Sequence, residues 1–393
     1  MLKIFFTGGM FQFLNAALGI YRIKYFLDIY GNTAMANIAV IISIWGLVQI
    51  LTEDQRSLFR NKKINSRGAW RDLGRAFRAN FKFKFLVLML AISIISIVDG
   101  YYLSLKQLFL AFLVITGYLL TMITSIFMGK KEAQNKFIEL NIKQTIFTIV
   151  NFVLFFPLVH FFSSTGFLLN TLITSNIVIF SLLERGVGTR AAQDVFLTDL
   201  QEQKSIVASK LYCYVLALQA STYVFDQFLI TIFHSHLDVV EYSLIRRIGL
   251  VMTVSTLTLS PFFSRLGRTG LSGITDFRQK TIVMGIASSL AYYALSTVLI
   301  IEVLGAAPPN FGLYQFGMIL LGLASIKTSA SISSLSDDAQ ISIRFNTLKR
   351  LVPIFLISNC IGIAFLGGFF PLYLGSLFLL IYEKLVNNAY DKS

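Results

Sequence analysis

The sequence predicts an all-α polytopic membrane protein, with about twelve transmembrane helices in two six-helix halves around a central cationic cavity. Three observations carry this expectation. The chain is 55% hydrophobic and 14% charged with a mean hydropathy of +0.70, too few polar residues to cover soluble domains of this length. Apolar runs of about 20 residues, each sufficient to span the hydrocarbon core as a helix, recur along the whole chain. These runs lack the period-two alternation of a barrel strand, and backbone groups in lipid must find partners internally, so the spans are helical.

In order, the expected spans are 4–27, 34–52, 85–98, 107–128, 142–162, 166–183, 210–233, 239–263, 281–304, 313–333, 351–369 and 371–385. The first begins MLKIFF and lacks an A-x-A-like cleavage site, so it reads as an uncleaved span rather than a signal peptide. With a cytoplasmic N-terminus, the cytoplasmic segments collect most of the 34 lysines and arginines, while the opposite loops hold essentially Lys106. This asymmetry predicts that both termini are cytoplasmic. It also accounts for the net charge of +14 without a nucleic-acid partner, because the cations sit in short loops rather than in a basic domain.

The loop 53–84 is the most basic, and Arg56, Arg60, Lys63, Arg67, Arg71, Arg75, Arg78 and Lys82 follow one another at steps of three or four. Trp70, Leu73, Phe77 and Phe81 keep that step on another face, which predicts an amphipathic helix on the cytoplasmic leaflet from about Ser66 onward. Lipid anchoring explains it; direct capture of a substrate is the other reading. Two parallel halves, 1–200 and 201–393, follow from six spans on either side of Leu211. Residues 20–60 laid over 223–263 place Gly46-Leu47-Val48 on Gly249-Leu250-Val251, and the segment from Glu184 to Lys210 joins the halves.

Charges inside the spans supply the candidate site. Asp226 lies about 10 Å below the outer end of its helix, too deep for a short carboxylate to reach water. Such a charge costs at least about 2.5 kcal/mol, so it faces a partner or a wet cavity. The overlay sets it beside the equivalents of Arg22 and Lys24, which makes an ion pair with either a structural alternative to a role in proton handling or gating. The next span, VVEYSLIRRIGLVMTVSTLTLSPFF, carries Glu241 near its outer end and Arg246 and Arg247 near mid-membrane. Adjacent arginines point about 100° apart, so one is expected toward a cavity and the other toward a neighbouring helix. Lys327 falls in the inner half of a later span and can snorkel. Pro157, Pro261 and Pro353 mark candidate kinks. His160, His234 and His236 lack metal-site spacing, Cys213 and Cys360 form no CxxC, and no Walker loop is present, so no metal, cofactor or ATP is expected.

The acid followed by aliphatics at Asp226, Leu229 and Ile230, the pair Tyr242-Ser243, then Arg247, Pro261 and Ser264 resemble the bacterial polysaccharide flippases. These are the Wzx-like branch of the MATE and lipid-II-flippase superfamily. Tyr30-Gly31, Gly46-Leu47 and Arg60 are similar to the pattern of the first half. The very basic 53–84 loop and the run TEDQ from Thr52 to Gln55 depart from it. The resemblance implies a flippase, not an enzyme. It implies translocation of undecaprenyl-pyrophosphate-linked oligosaccharides across the bacterial inner membrane for O-antigen or capsule synthesis. Partners so implied are the lipid-linked oligosaccharide, membrane lipids, a polysaccharide polymerase and a chain-length regulator. Carried over residue by residue, Arg247, Arg246, Arg22, Lys24 and Lys327 would contact pyrophosphate, and Asp226 and Glu241 would serve coupling or gating. A pyrophosphate crossing about 30 Å of hydrocarbon needs cations on its route, arginine above all for its forked fit to phosphate oxygens. A MATE-like cation-coupled antiporter is the alternative, although Arg246, Arg247 and Lys327 would repel cationic drugs. A polymerase or ligase is disfavoured by the short outward loops.

Overall fold

The computed structural model describes residues 2–61, 84–94, 105–133, 136–178, 214–215, 218, 225–249, 274–305, 307–308, 310–332 and 338–391. Its helices are α1 (Leu2–Asn61), α2 (Lys84–Ile94), α3 (Leu105–Ala133), α4 (Phe137–Leu169) and α5 (225–233). They continue with α6 (His236–Gly249), α7 (Ile274–Leu304), α8 (Phe311–Ile332), α9 (Asp338–Leu366) and α10 (Phe370–Tyr390). No strand occurs among the described residues. Six of the described helical segments are long and apolar enough to cross a membrane, so the chain is an all-α, multi-pass membrane protein.

The distribution of polarity fits a lipid solvent. Leu108, Phe161, Leu290 and Phe365 are exposed, whereas Asn170, Ser296 and Asn359 are fully buried. Hydrocarbon around the helices leaves apolar side chains no reason to hide and gives polar ones every reason to pair inside.

Two expected pairs of spans appear as single helical runs broken by one residue. Spans 4–27 and 34–52 lie in α1 and separate at Gly31, whose φ of 76° is open to glycine at little cost. Span 142–162 and the described part of span 166–183, to residue 178, lie in one run broken at Ser163, with φ 52°. Helical dihedrals run through Pro157, so the break falls beyond the proline expected to mark it; Pro353 likewise sits inside α9. The lost amide of a proline is tolerated where the dihedrals can stay helical. Lys84, expected at the end of the basic loop, is instead buried at the start of α2. The rest of that loop from 62 to 83, the connection from Glu184 to Lys210 and the stretch holding Pro261 and Ser264 lie outside the described residues.

The chain divides into two compact units. One is Met1–Ala39 with Phe225–Ser393, and the other is Val40–Val224. In the second unit α3 packs on the α4 run, where a single π-helical turn, Asn170–Thr174, follows the break. Asn170 Nδ2 donates to Asn151 O at 3.1 Å and to Asn151 Oδ1 at 3.0 Å, joining the two arms of that run. In the first unit α8 packs against α7 and α10, and α6 lies against α7 and α8. Gln315 Nε2 on α8 donates to Ser296 Oγ at 2.8 Å and Thr297 Oγ1 at 2.9 Å on α7. Interhelical bonds of this kind contribute roughly 0.6 kcal/mol each in a bilayer, so they orient helices more than they hold them.

Candidate functional site

The charged residues singled out from the sequence fall in the first unit, on α1, α5, α6 and α8. Helix α6 is the organising element. Its sequence, HLDVVEYSLIRRIG, buries Val240, Tyr242, Leu244, Ile245 and Ile248, and this packing fixes the directions in which Glu241, Arg246 and Arg247 leave the helix.

Asp226, at the start of α5, is 4% exposed and has three partners. Tyr242 Oη donates to its Oδ2 at 2.7 Å, and Asn359 Nδ2 on α9 donates to its Oδ1 at 2.6 Å. Arg246 Nη1 stands 4.0 Å from Oδ2, with its guanidinium 5.7 Å from the centre of the Tyr242 ring. The ion-pair partner of Asp226 is therefore Arg246, on the neighbouring helix, and not Arg22 or Lys24 as the overlay of the halves suggested. The overlay compares depth along two helices and cannot see the single turn that joins α5 to α6 and sets Arg246 against the acid. Both carboxylate oxygens already accept strong donors, so nothing here has the open, oxygen-rich geometry of a metal site. No group of three or more His, Cys, Asp or Glu suited to a metal occurs among the described residues.

Arg247, about 100° around α6, takes the opposite course. It is half-buried and makes no hydrogen bond or ion pair with any described residue. Its side chain lies across Gly19 of α1, where an added Cβ would stand 2.5 Å from Nη1 and 3.1 Å from Cδ. Arg22, three residues further along α1 and so on the same face, is within electrostatic range of Arg247. Two arginines thus lie within electrostatic range of each other, and arginine's planar fork suits phosphate oxygens.

The other expected cations are engaged elsewhere. Lys24 Nζ donates to Glu302 Oε1 at 2.9 Å and to Glu302 O at 3.0 Å, at a position where the two side chains are 33% and 69% exposed. Lys327 on α8 stands 3.7 Å from Glu383 Oε2 on α10. Glu241 is buried and borders a cavity of about 380 Å³ together with Asp28 and Asn32. The structure therefore brings Arg22 to Arg247 and Asp226 to Arg246, while Lys24, Lys327 and Glu241 each belong to a different local arrangement.

Sequence reasoning missed Asn359 and Gly19. Asn359 could have been noticed as an amide inside the apolar run VPIFLISNCIGIAFL, a residue type that must pair in lipid. Gly19 carries no sequence signal, because its importance lies in what crosses it.

No family model matches the chain, and no curated protein matches it. Solved structures do. The lipid II flippase MurJ in an inward closed conformation superposes with a TM-score of 0.67 at 13% identity, over 98% of this chain and 87% of that one. A point mutant of the Vibrio cholerae MATE transporter VcmN matches with a TM-score of 0.58 at 14% identity, over 99% and 96%. The MATE multidrug transporter DinF-BH, in a ligand complex, matches with a TM-score of 0.55 at 17% identity, over 100% and 94%. At these identities the likeness shows the fold: the chain has the all-helical architecture shared by MurJ and the MATE transporters.

Proposed function

We propose that the chain belongs to the superfamily of MATE transporters and lipid flippases and is itself a flippase. Its substrate in this reading is an undecaprenyl-pyrophosphate-linked oligosaccharide repeat unit, carried from the cytoplasmic to the periplasmic leaflet for surface polysaccharide synthesis. The observation that carries the reading is Arg247, a half-buried arginine with no partner among the described residues, lying over Gly19 with Arg22 nearby. An arginine held in a helical interior at a cost of several kcal/mol needs an anion to justify it. A pyrophosphate head group supplies one, while its lipid tail stays in the bilayer. The fold is one that a lipid II flippase also has, which is compatible with a lipid-linked substrate.

In this reading no covalent bond is made or broken. Asp226 with Tyr242, Asn359 and Arg246 acts as the element whose rearrangement accompanies gating, and Lys24 and Lys327 tune the surrounding field. The protein resides in the bacterial inner membrane with both termini cytoplasmic. The basic 53–84 segment anchors it to anionic lipid, the parts 1–200 and 201–393 are its two six-helix repeats, and a polymerase and a chain-length regulator receive the product. The test is complementation of a flippase-deletion strain lacking surface polysaccharide. The parent chain should restore polysaccharide, and deletion of its own gene should leave lipid-linked repeat units on the cytoplasmic side. Normal polysaccharide in a clean deletion without a redundant flippase would refute the proposal.

One observation favours a second reading, a MATE-like cation-coupled antiporter. Asp226 is a buried carboxylate whose surroundings would change on protonation, as coupling requires. Drug efflux that depends on Asp226, with no effect on polysaccharide, would select it.

A further inference from the structure

We propose that the cavity bordered by Asp28, Asn32 and Glu241 is a binding site for a primary ammonium group carried on a small organic molecule. Three segments meet there: α1 on both sides of its break at Gly31, the first turns of α6, and the end of α7 with Ala307 and Pro308 beyond it. The cavity volume is about 380 Å³, within the range that holds a small organic ligand.

Glu241 is the decisive residue. It is 6% exposed, has no hydrogen bond or ion pair with any described residue, and lines the cavity. A carboxylate so enclosed is costly unless a cation or strong donors occupy the space before it. Asp28 and Asn32 also make no hydrogen bond with any described residue, although Lys24 acts on Asp28 electrostatically, so three oxygen-bearing side chains border the same volume without a hydrogen bond. Asp238, close by on α6, adds negative charge while its Oδ2 is held by Ser235 N at 3.1 Å and Oγ at 2.7 Å. The neighbouring cation, Lys24, is engaged by Glu302. Nothing among the described residues bordering the cavity is cationic.

The lining distinguishes an organic ammonium from a metal ion. Calcium takes six to eight oxygens at about 2.3–2.6 Å, and magnesium a tight octahedron. Two carboxylates and one amide on separate segments around this volume leave either ion mostly to water. Leu237, Val303 and Leu304 form apolar walls that a metal cannot use and a carbon skeleton can. An ammonium donates three hydrogen bonds from one point charge, matching three acceptors. Two sources share this chemistry at the end of a membrane helix bundle: the amine of an amino sugar and the head group of an ethanolamine lipid. The inference is independent of the proposed pyrophosphate reading, because it concerns the opposite charge on different residues.

The full chain in phosphatidylcholine nanodiscs is titrated with glucosamine, with N-acetylglucosamine as the uncharged control, following the midpoint of thermal unfolding. A second arm replaces part of the lipid by phosphatidylethanolamine. Glucosamine or the ethanolamine lipid should raise the midpoint, and N-acetylglucosamine should not. Glu241→Gln should weaken the apparent affinity at least about tenfold, the scale of a lost charge-assisted hydrogen bond. Asp28→Asn, at an exposed position that folding tolerates, should weaken it in the same direction. A response in the sugar arm assigns an amino sugar and a response in the lipid arm alone assigns the head group; either supports the site. The proposal is overturned if neither amine stabilises the chain or if N-acetylglucosamine acts as well as glucosamine. It is equally overturned if both variants respond like the parent, or if calcium or sodium ions alone give the Glu241-dependent shift.

Discussion

Arg247 lies across Gly19, so close that a methyl group at position 19 would stand 2.5 Å from its Nη1. A residue without a side chain on α1 thereby sets the position of the arginine on α6. Gly19→Ala should push the guanidinium away from Arg22 and reduce polysaccharide restoration to the level of Arg247→Lys, with membrane abundance unchanged. Full activity of Gly19→Ala would mean that the position of Arg247 is not critical.

Arg247→Ala should abolish polysaccharide restoration, whereas Arg247→Lys should retain part of it, since lysine keeps the charge and loses the planar fork. Arg246→Lys should be tolerated better, because Arg246 already faces Asp226 at 4.0 Å and a lysine ammonium can serve that acid as well. Complementation at matched abundance reads the difference, and wild-type behaviour of Arg247→Ala would remove Arg247 from the head-group route.

Asp226→Ala should lower stability by about 1–3 kcal/mol, since it leaves the buried donors of Tyr242 and Asn359 without their acceptor. Asp226→Asn keeps an acceptor and should remain near parental abundance. The exchange Arg22→Asp with Asp226→Arg should not rescue either single change, because the acid pairs with Arg246. Thermal unfolding in detergent and complementation measure both, and a full rescue would show that Arg22 and Asp226 do meet.

Lys24→Ala and Glu302→Ala should have equally small effects on abundance and activity, as expected for an exposed ion pair. If Lys24→Ala abolishes function while Glu302→Ala does not, Lys24 acts on the substrate and its contact with Glu302 is incidental.

Single cysteines at Asn32, His236 and Asn310, in a background where Cys213 and Cys360 are alanine, should all react with a membrane-impermeant thiol reagent added from the periplasm. Residues 32, 237 and 308 line one cavity, so the three sites should share a side. A cysteine near residue 70 should be protected. Labelling in the reverse pattern would invert the orientation inferred from the lysine and arginine asymmetry.

The sequence alone determined the solvent and the elements. Span length and apolarity are local quantities, and hydrocarbon imposes helix on any long apolar run, so the spans read from composition recur as helices over nearly all their described residues, the exception being 367–369 at the end of span 351–369. It also determined that Asp226, Arg246 and Arg247 need partners, because a charge in lipid cannot be idle. Which partners they found was decided only by tertiary structure. Depth along a helix says nothing of azimuth, and a difference of about 100° between neighbours sends Arg246 to Asp226 and Arg247 to Gly19. Asn359, Gly19 and Asn32 entered their sites through packing of helices distant in sequence, where the contact depends on crossing geometry that no local pattern of residues encodes.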